Sequence, residues 1–231
     1  MATSKAQRWG ILVILIVTVV GTLGSFAVMA LSTQNDAADA AKQQKIVQDY
    51  QAAYAEYQTK VDAQTKELSD KYYATFSPYA SRVNTFDRDS VKSIATEDLV
   101  VGEGAEITGT TKFAAYYIGW NPKGKVFDQS IDGDSLKEPI YHSKPEQGFV
   151  GLDEGIDKAS LIEGWKEGMK GMRIGGIRMI TIPSDKAYGE QGSGDDIPPN
   201  TPIAFIVMAV EPPSAIATPE IPVELLQGFG G

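Results

Sequence analysis

The chain has 231 residues, no cysteine, a single histidine at His142 and a net charge of −9. Disulfides, thiol nucleophiles, cysteine metal sites, a His-based triad and a multi-His metal centre are therefore all excluded. Lys5 and Arg8 are the only charged side chains before Asp36, so the remainder carries −11, and a surface of that sign does not suit a nucleic-acid partner.

Residues 1–8 read as a short cytoplasmic N-terminus. Residues 9–31, from Trp9 to Leu31, are uncharged and mostly aliphatic, and about 20 such residues cross a bilayer as a helix. Lys5 and Arg8 on the short side keep the N-terminus in the cytoplasm and export the rest, giving a single-pass membrane protein. The alternative is a cleaved signal peptide, with Val28 and Ala30 as a small-residue cleavage site after Phe26 and a secreted product. The run is longer than a usual signal core, which favours the anchor.

Residues 32–78 read as a helical stalk. Asp36 to about Phe76 is rich in Ala, Gln, Lys, Glu and Tyr and lacks Gly and Pro. Ile46, Tyr50, Tyr54, Tyr57, Val61, Leu68 and Tyr72 recur at steps of three, four or seven, which places them in one stripe. Asn35 or Asp36 is positioned to cap the start and Pro78 to mark the end. Forty helical residues span roughly 60 Å. Three readings stay open: a solvated spacer, a helix packed back on its own domain, and self-association through the tyrosine stripe. Ala53 and Gln64 interrupt the seam, which argues against a regular coiled coil. Residues 79–96 lose the period and read as a linker or a short packed helix.

Residues 97–211 form the folded domain. Strands are expected at Lys112–Ile118, at Arg173–Ile182 and at the continuously apolar Ile203–Val210, with NPKGK turning between two strands. One brief helix is expected at Ser160–Met169, capped by Ser160 and ended by Gly171. Leu161, Ile162 and Trp165 then project from neighbouring positions. The fold class is α+β: an antiparallel sheet wrapped around one short helix. Residues 212–231, with four prolines and a closing GFGG, read as a flexible tail, in which the segment IPVELL is apolar enough to dock.

Four strings occur in order in this domain: GKVFDQS, LIEGWKEGM, AYGEQG and DDIPPNTPIAFIV. Their aromatic and aliphatic side chains suit a small apolar pocket with few polar atoms, and do not suit hydrolysis, metal chemistry or phosphate transfer. In order and wording they resemble the FKBP family of peptidyl-prolyl cis-trans isomerases over roughly Glu97 to Glu211. The resemblance implies that the chain is an isomerase, or rotamase, that acts on X–Pro bonds, and the N-terminal segment implies that the proteins it helps fold are exported ones. It further implies Trp165 as the pocket floor, Tyr188 as a hydroxyl donor to a substrate carbonyl, and Asp128 beside the twisting amide, held by Tyr117. Tyr117, Phe127, Leu161, Ile162, Ile197 and Phe205 complete the expected substrate wall, with the Ile162 N–H as a second carbonyl donor. No cofactor or metal is called for, and the partners are X–Pro-containing polypeptides.

The chain departs from the family pattern at three places. Asp195 and Asp196 precede Ile197 where an apolar residue is common, which implies a negative rim. Ser193 stands where many relatives carry His. The span from Asp128 to Leu161 is long, and Ile140, Tyr141 and Phe149 compete as its contribution to the pocket. Asp196 and the long span keep a non-catalytic module that binds proline segments in view, and the tyrosine stripe keeps an adaptor whose working part is the stalk.

Overall fold

The computed structural model describes residues 36–144 and 148–226. The expected membrane segment, residues 9–31, lies outside them. Among the described residues no helix is long and apolar enough to cross a membrane.

Helix α1 runs from Asp36 to Phe76, 41 residues. It has the expected bounds, because nothing within it breaks the backbone ladder and Pro78 sits in the following 3₁₀ turn, Ser77–Arg82. Lys45–Asp49, Glu56–Lys60 and Lys66–Asp70 pair at i,i+4 along its exposed side, each worth about 0.3–0.5 kcal/mol.

The described residues divide into two compact units, one comprising Asp62–Ala215 and the other the helix up to Val61 with the tail from Ile216. In the larger unit a five-stranded antiparallel sheet has the order β1 (Ala95–Val100), β6 (Ile177–Ile182), β7 (Ile203–Val210), β2 (Ala114–Trp120), β3 (Val126–Gln129). Two-residue strands β4 (Ile131–Asp132) and β5 (Ser135–Leu136) form a separate hairpin. Every residue of β7 is buried, because both faces of the sheet are covered. Ile203, Phe205, Val207 and Ala209 face the short helix α2 (Glu163–Met169) with Trp165 and Met169. Ala204, Ile206, Met208 and Val210 face the other way, into a cluster that holds Tyr116, Trp120 and Phe76.

The last turns of α1 supply that second cover. Phe76 is fully buried, Leu68 and Tyr72 pack on the cluster, and Tyr72 and Phe76 lie 6.1 and 6.4 Å from the Tyr116 ring. The expected boundary between stalk and domain therefore falls inside the helix, since residues 62–76 pack as part of the domain. Part of residues 79–96, read as a linker or a short packed helix, also packs on the domain through Tyr79, Val83 and Phe86 while most of the segment is exposed. The Trp120 indole donates to the Asn84 carbonyl at 3.0 Å.

α2 lies close on β6 because two glycines a helical turn apart face it. A Cβ on Gly164 would come within 2.2 Å of the Ile182 Cγ2, and one on Gly168 within 2.6 Å of the Ile180 Cγ2. Ser160 does not cap this helix. Ile162 is the N-cap residue, and the Ser160 hydroxyl instead accepts from the Val150 N–H at 3.0 Å. The strand expected from Arg173 begins only at Ile177, because Gly175, at φ 88°, makes a turn first. β2 starts and ends two residues later than expected. β1 was not foreseen: it is an exposed edge with the sequence ATEDLV and no alternation. The tail closes in a short helix, α3 (Val223–Leu226), with Leu225 buried.

The Tyr116 hydroxyl is the one buried side-chain polar atom among the described residues without a hydrogen-bond partner. Burial pushes its phenol far above the ordinary tyrosine range. An orphaned buried hydroxyl costs about 1–3 kcal/mol, so Tyr116→Phe is expected to leave stability unchanged or raise it by about 1 kcal/mol. Urea unfolding checks this, and a clear fall in the midpoint would show that the hydroxyl has a partner.

Candidate active site

Strands β2, β3 and β7, helix α2 and the β6–β7 loop converge on one aromatic cluster. Trp165 enters from α2, Phe205 from β7, and Tyr117 and Phe127 from β2 and β3. The Trp165 ring is 5.5 Å from Phe205 and 5.7 Å from Tyr117, both edge to face. Phe127 meets Phe205 edge to face at 5.6 Å. This is the arrangement that ring quadrupoles favour. Trp165 and Phe205 are 3% and 4% exposed, and Ile197 is also buried. Tyr117, Phe127, Leu161 and Ile162 are partly exposed against the same cluster.

Strand pairing explains how the rings fit. Gly119 lies opposite Phe205 in the β2–β7 register, and a Cβ there would stand 2.5 Å from the Phe205 ring and 2.8 Å from the Phe127 ring. The glycine of YYIG thus leaves the space that two aromatic rings occupy. Sequence reasoning did not single it out, although its place two residues after Tyr117, on the same face of the strand, was the available signal.

The polar groups lie at the edge of this cluster. The Tyr117 hydroxyl donates to Asp128 Oδ2, and the Gln129 N–H donates to Asp128 Oδ1 at 2.8 Å. The carboxylate on β3 is therefore exposed yet fixed at both oxygens. Tyr188 is 36% exposed; burial, and secondarily the Asp128 charge, hold its phenol above the ordinary tyrosine value. It stays protonated, and so a hydrogen-bond donor, throughout the neutral range. Ile162 precedes the first turn of α2, so its N–H has no intrahelical acceptor. All nine expected residues thus fall in one neighbourhood: seven form or line the aromatic cluster, Asp128 is tied to it by Tyr117, and Tyr188 lies within reach of the Asp128 charge.

The rim differs from the expectation at one of its two acids: Lys125 pairs with the Asp196 carboxylate, whereas Asp195 is exposed. Asn121, buried at the start of the NPKGK turn, donates from Nδ2 to the Asp196 carbonyl at 2.8 Å while its Oδ1 accepts from the N–H groups of Lys123 and Lys125. The turn and the loop that carries Ile197 are thereby joined. Arg88, in the segment read as a linker, donates to the Asn200 carbonyl of the same loop at 2.7 Å. Neither link could be read from spacing alone.

The described part of the long span after Asp128 is held by defined hydrogen bonds. Ile140 pairs with Ala115 through two backbone hydrogen bonds of 3.0 and 3.1 Å. Ser143 Oγ donates to Asp153 at 2.6 Å and accepts from the Gly151 N–H. Ile140 and Tyr141 pack against the cluster that contains Trp165, whereas Phe149, bridged to Lys144, is not among the described residues packed on it.

The profile of the FKBP-type peptidyl-prolyl cis-trans isomerases matches residues 103–210. An FK506-binding protein of Neisseria meningitidis is 35% identical over 115 residues, which are 50% of this chain and 92% of that protein. FK506-binding protein 4 of Rhizopus delemar is 37% identical over 111 residues, 48% of this chain and 25% of that longer protein. The crystal structure of a peptidyl-prolyl cis-trans isomerase from Pseudomonas syringae superposes on 66% of this chain and 96% of its own, with a TM-score of 0.41 and 25% identity.

Proposed function

The chain belongs to the FKBP-type peptidyl-prolyl cis-trans isomerase family, and we propose that it turns over X–Pro bonds of exported proteins while its N-terminal segment tethers it to the membrane. The observation that carries the reading of the site is the convergence of Trp165, Phe205, Tyr117 and Phe127 beside a fixed carboxylate and a protonated phenol.

Rotation about an X–Pro bond meets a barrier of about 18–20 kcal/mol, because the amide is conjugated. The two isomers lie close in energy, so catalysis requires only that the twisted state be bound better than either planar one. An apolar cup around the proline ring withdraws the amide from water, which solvates the planar, charge-separated form best. Trp165 supplies the floor of that cup, and Phe127, Ile197, Phe205 and Leu161 its walls. The Tyr188 hydroxyl and the Ile162 N–H hold substrate carbonyls on either side of the turning bond. Asp128, oriented by Tyr117, faces the carbonyl carbon as the bond rotates, where conjugation no longer fixes the charge. No bond is made or broken.

The uncharged stretch from Trp9 to Leu31, with Lys5 and Arg8 on its short side, supports the tether and an extracytoplasmic domain. A chain so placed meets unfolded polypeptides with slow X–Pro bonds as they emerge.

The test is a cis-to-trans assay on a proline peptide with the full-length chain, carried out on fractionated cells. Acceleration is expected, and in the membrane fraction. Tyr188→Phe removes one neutral hydrogen bond, so kcat/KM is expected to fall about 2- to 10-fold. Binding of the peptide without acceleration would replace the enzyme with a binding module. Activity confined to the soluble fraction would overturn the tether.

A further inference from the structure

Half-burial along the tail follows a period of three. From Pro212 to Leu225 the covered residues include Pro213, Ile216, Pro219, Pro222 and Leu225, all apolar, while most of the residues between them are exposed. A period of three is the repeat of polyproline II, which shows one face every third residue and makes no internal hydrogen bonds. Up to the turn at Pro222–Leu225 the tail indeed makes no backbone–backbone bond among the described residues. The helix carries a matching stripe: Ile46, Tyr50, Tyr54, Tyr57 and Val61 are each half-covered, with Tyr50, Tyr54 and Tyr57 in a ladder at 6.2 and 5.9 Å. Residues 36–61 and 216–226 are the described parts of one compact unit.

The register is fixed at one point. Gln64 Nε2 donates to the Ser214 carbonyl at 2.7 Å, the kind of contact that a polyproline II strand, with its free carbonyls, offers to a side-chain amide. From there the lengths agree. At about 3.1 Å per residue the strand from Ser214 to Pro222, where the closing turn begins, covers about 25 Å, and the helix from Gln64 back to Ile46 covers about 27 Å.

We propose that the tyrosine stripe of α1 is a second proline-recognition surface, separate from the pocket. Its ligand is a polyproline II segment with an apolar residue at every third position, and the chain's own residues 212–226 occupy it. Tyrosine suits this role. It offers a flat, rigid apolar face to a proline ring at little entropic cost, while the strand is already extended before it binds. The proposal does not depend on the isomerase reading.

The test uses the full-length chain with Ile216→Ser, Pro219→Gly, Pro222→Gly and Leu225→Ser, which frees the stripe, and a fluorescein-labelled peptide of residues 212–226 as probe. Saturable binding by anisotropy is expected. It should be at least 10-fold weaker to the unaltered chain, lost on adding Tyr54→Ser and kept on adding Trp165→Leu. A tether supplies a local concentration in the millimolar range, so absence of binding up to about 5 mM peptide would overturn the proposal, as would loss of binding with Trp165→Leu. The absence of native cysteine allows a check that alters neither face: nitroxides at Gln48→Cys and Glu220→Cys are expected to give one narrow distance distribution, and a broad one would overturn the docking.

Discussion

Trp165→Leu is expected to lower kcat/KM for proline-bond isomerisation by about 10- to 100-fold while the protein stays folded. The indole is almost wholly enclosed, with Tyr117 and Phe205 both edge-on to it. It therefore offers its remaining face as a rigid surface rather than a mobile one. Leucine keeps the site apolar but loses much of that surface. The part lost is worth about 1.5–3 kcal/mol of apolar burial, and each 1.4 kcal/mol is a factor of ten in rate if it is realised mainly in the twisted state. Leucine is preferable to alanine here, because Trp→Ala in a core costs about 3–5 kcal/mol of stability and would confuse unfolding with loss of function. The assay should be paired with circular dichroism. A folded variant with kcat/KM within twofold of the parent would show that the indole is only a packing residue.

The contrast between Trp165 and Asp196 shows what the sequence could disclose. Trp165, Tyr117, Phe127 and Phe205 were legible through the four ordered strings and the family resemblance they carry, and in the structure a strand or a short helix fixes the direction of each side chain. β2 and β7 pair continuously from Ala114–Val210 to Trp120–Ala204, so the aromatic residues had one place to go. The charge of Asp196 was read as a rim, but its partner Lys125 is 71 positions away in sequence and comes from another turn. Asn121, Arg88 and Gly119 act through similarly distant partners, and local pattern carries no trace of these.

Two further features were legible in part or not at all: the packing of the last turns of α1 on their own domain, one of the readings left open, and strand β1. The tyrosine and leucine stripe of α1 was visible as a stripe, yet its lower turns cover a sheet face whose strands gave no sign of needing a cover other than continuous hydrophobicity. β7 was read correctly as buried for that reason, without the identity of the second cover. β1 went unseen because an edge strand exposed on both sides has no apolar alternation to detect. Its backbone pairs with β6 from Ala95–Thr181 to Val100–Ile177, and Asp98 adds a side-chain link to one residue of that strand.

That residue is Arg178, and its removal is expected to be the most destabilising single polar change in the domain. The side chain is 9% exposed. Nε and Nη2 donate to the two Asp98 carboxylate oxygens at 2.6 and 3.1 Å, and Nη1 donates to the carbonyls of Gly168 and Lys170 at 2.9 and 3.1 Å. One guanidinium thus joins the edge strand β1, its own strand β6 and the open C-terminal end of α2. The helix has only seven residues, far too few to persist on its own; it depends on its packing against β6 and on this cap. Arg178→Ala leaves those carbonyls without a donor and Asp98 without a partner, for an expected loss of about 3–5 kcal/mol. That is a fifth or more of the roughly 5–15 kcal/mol stability of an ordinary domain. Arg178→Lys keeps the charge but not the planar fork, so most of the loss should remain. Asp98→Asn should cost far less, about 1 kcal/mol, because that side chain is 40% exposed and water can replace it. Urea unfolding of the three variants separates the contributions. If Asp98→Asn proved as damaging as Arg178→Ala, the ion pair would be what matters and the helix cap would not, and the stability of the Trp165 platform would have to be sought in its glycine contacts with β6.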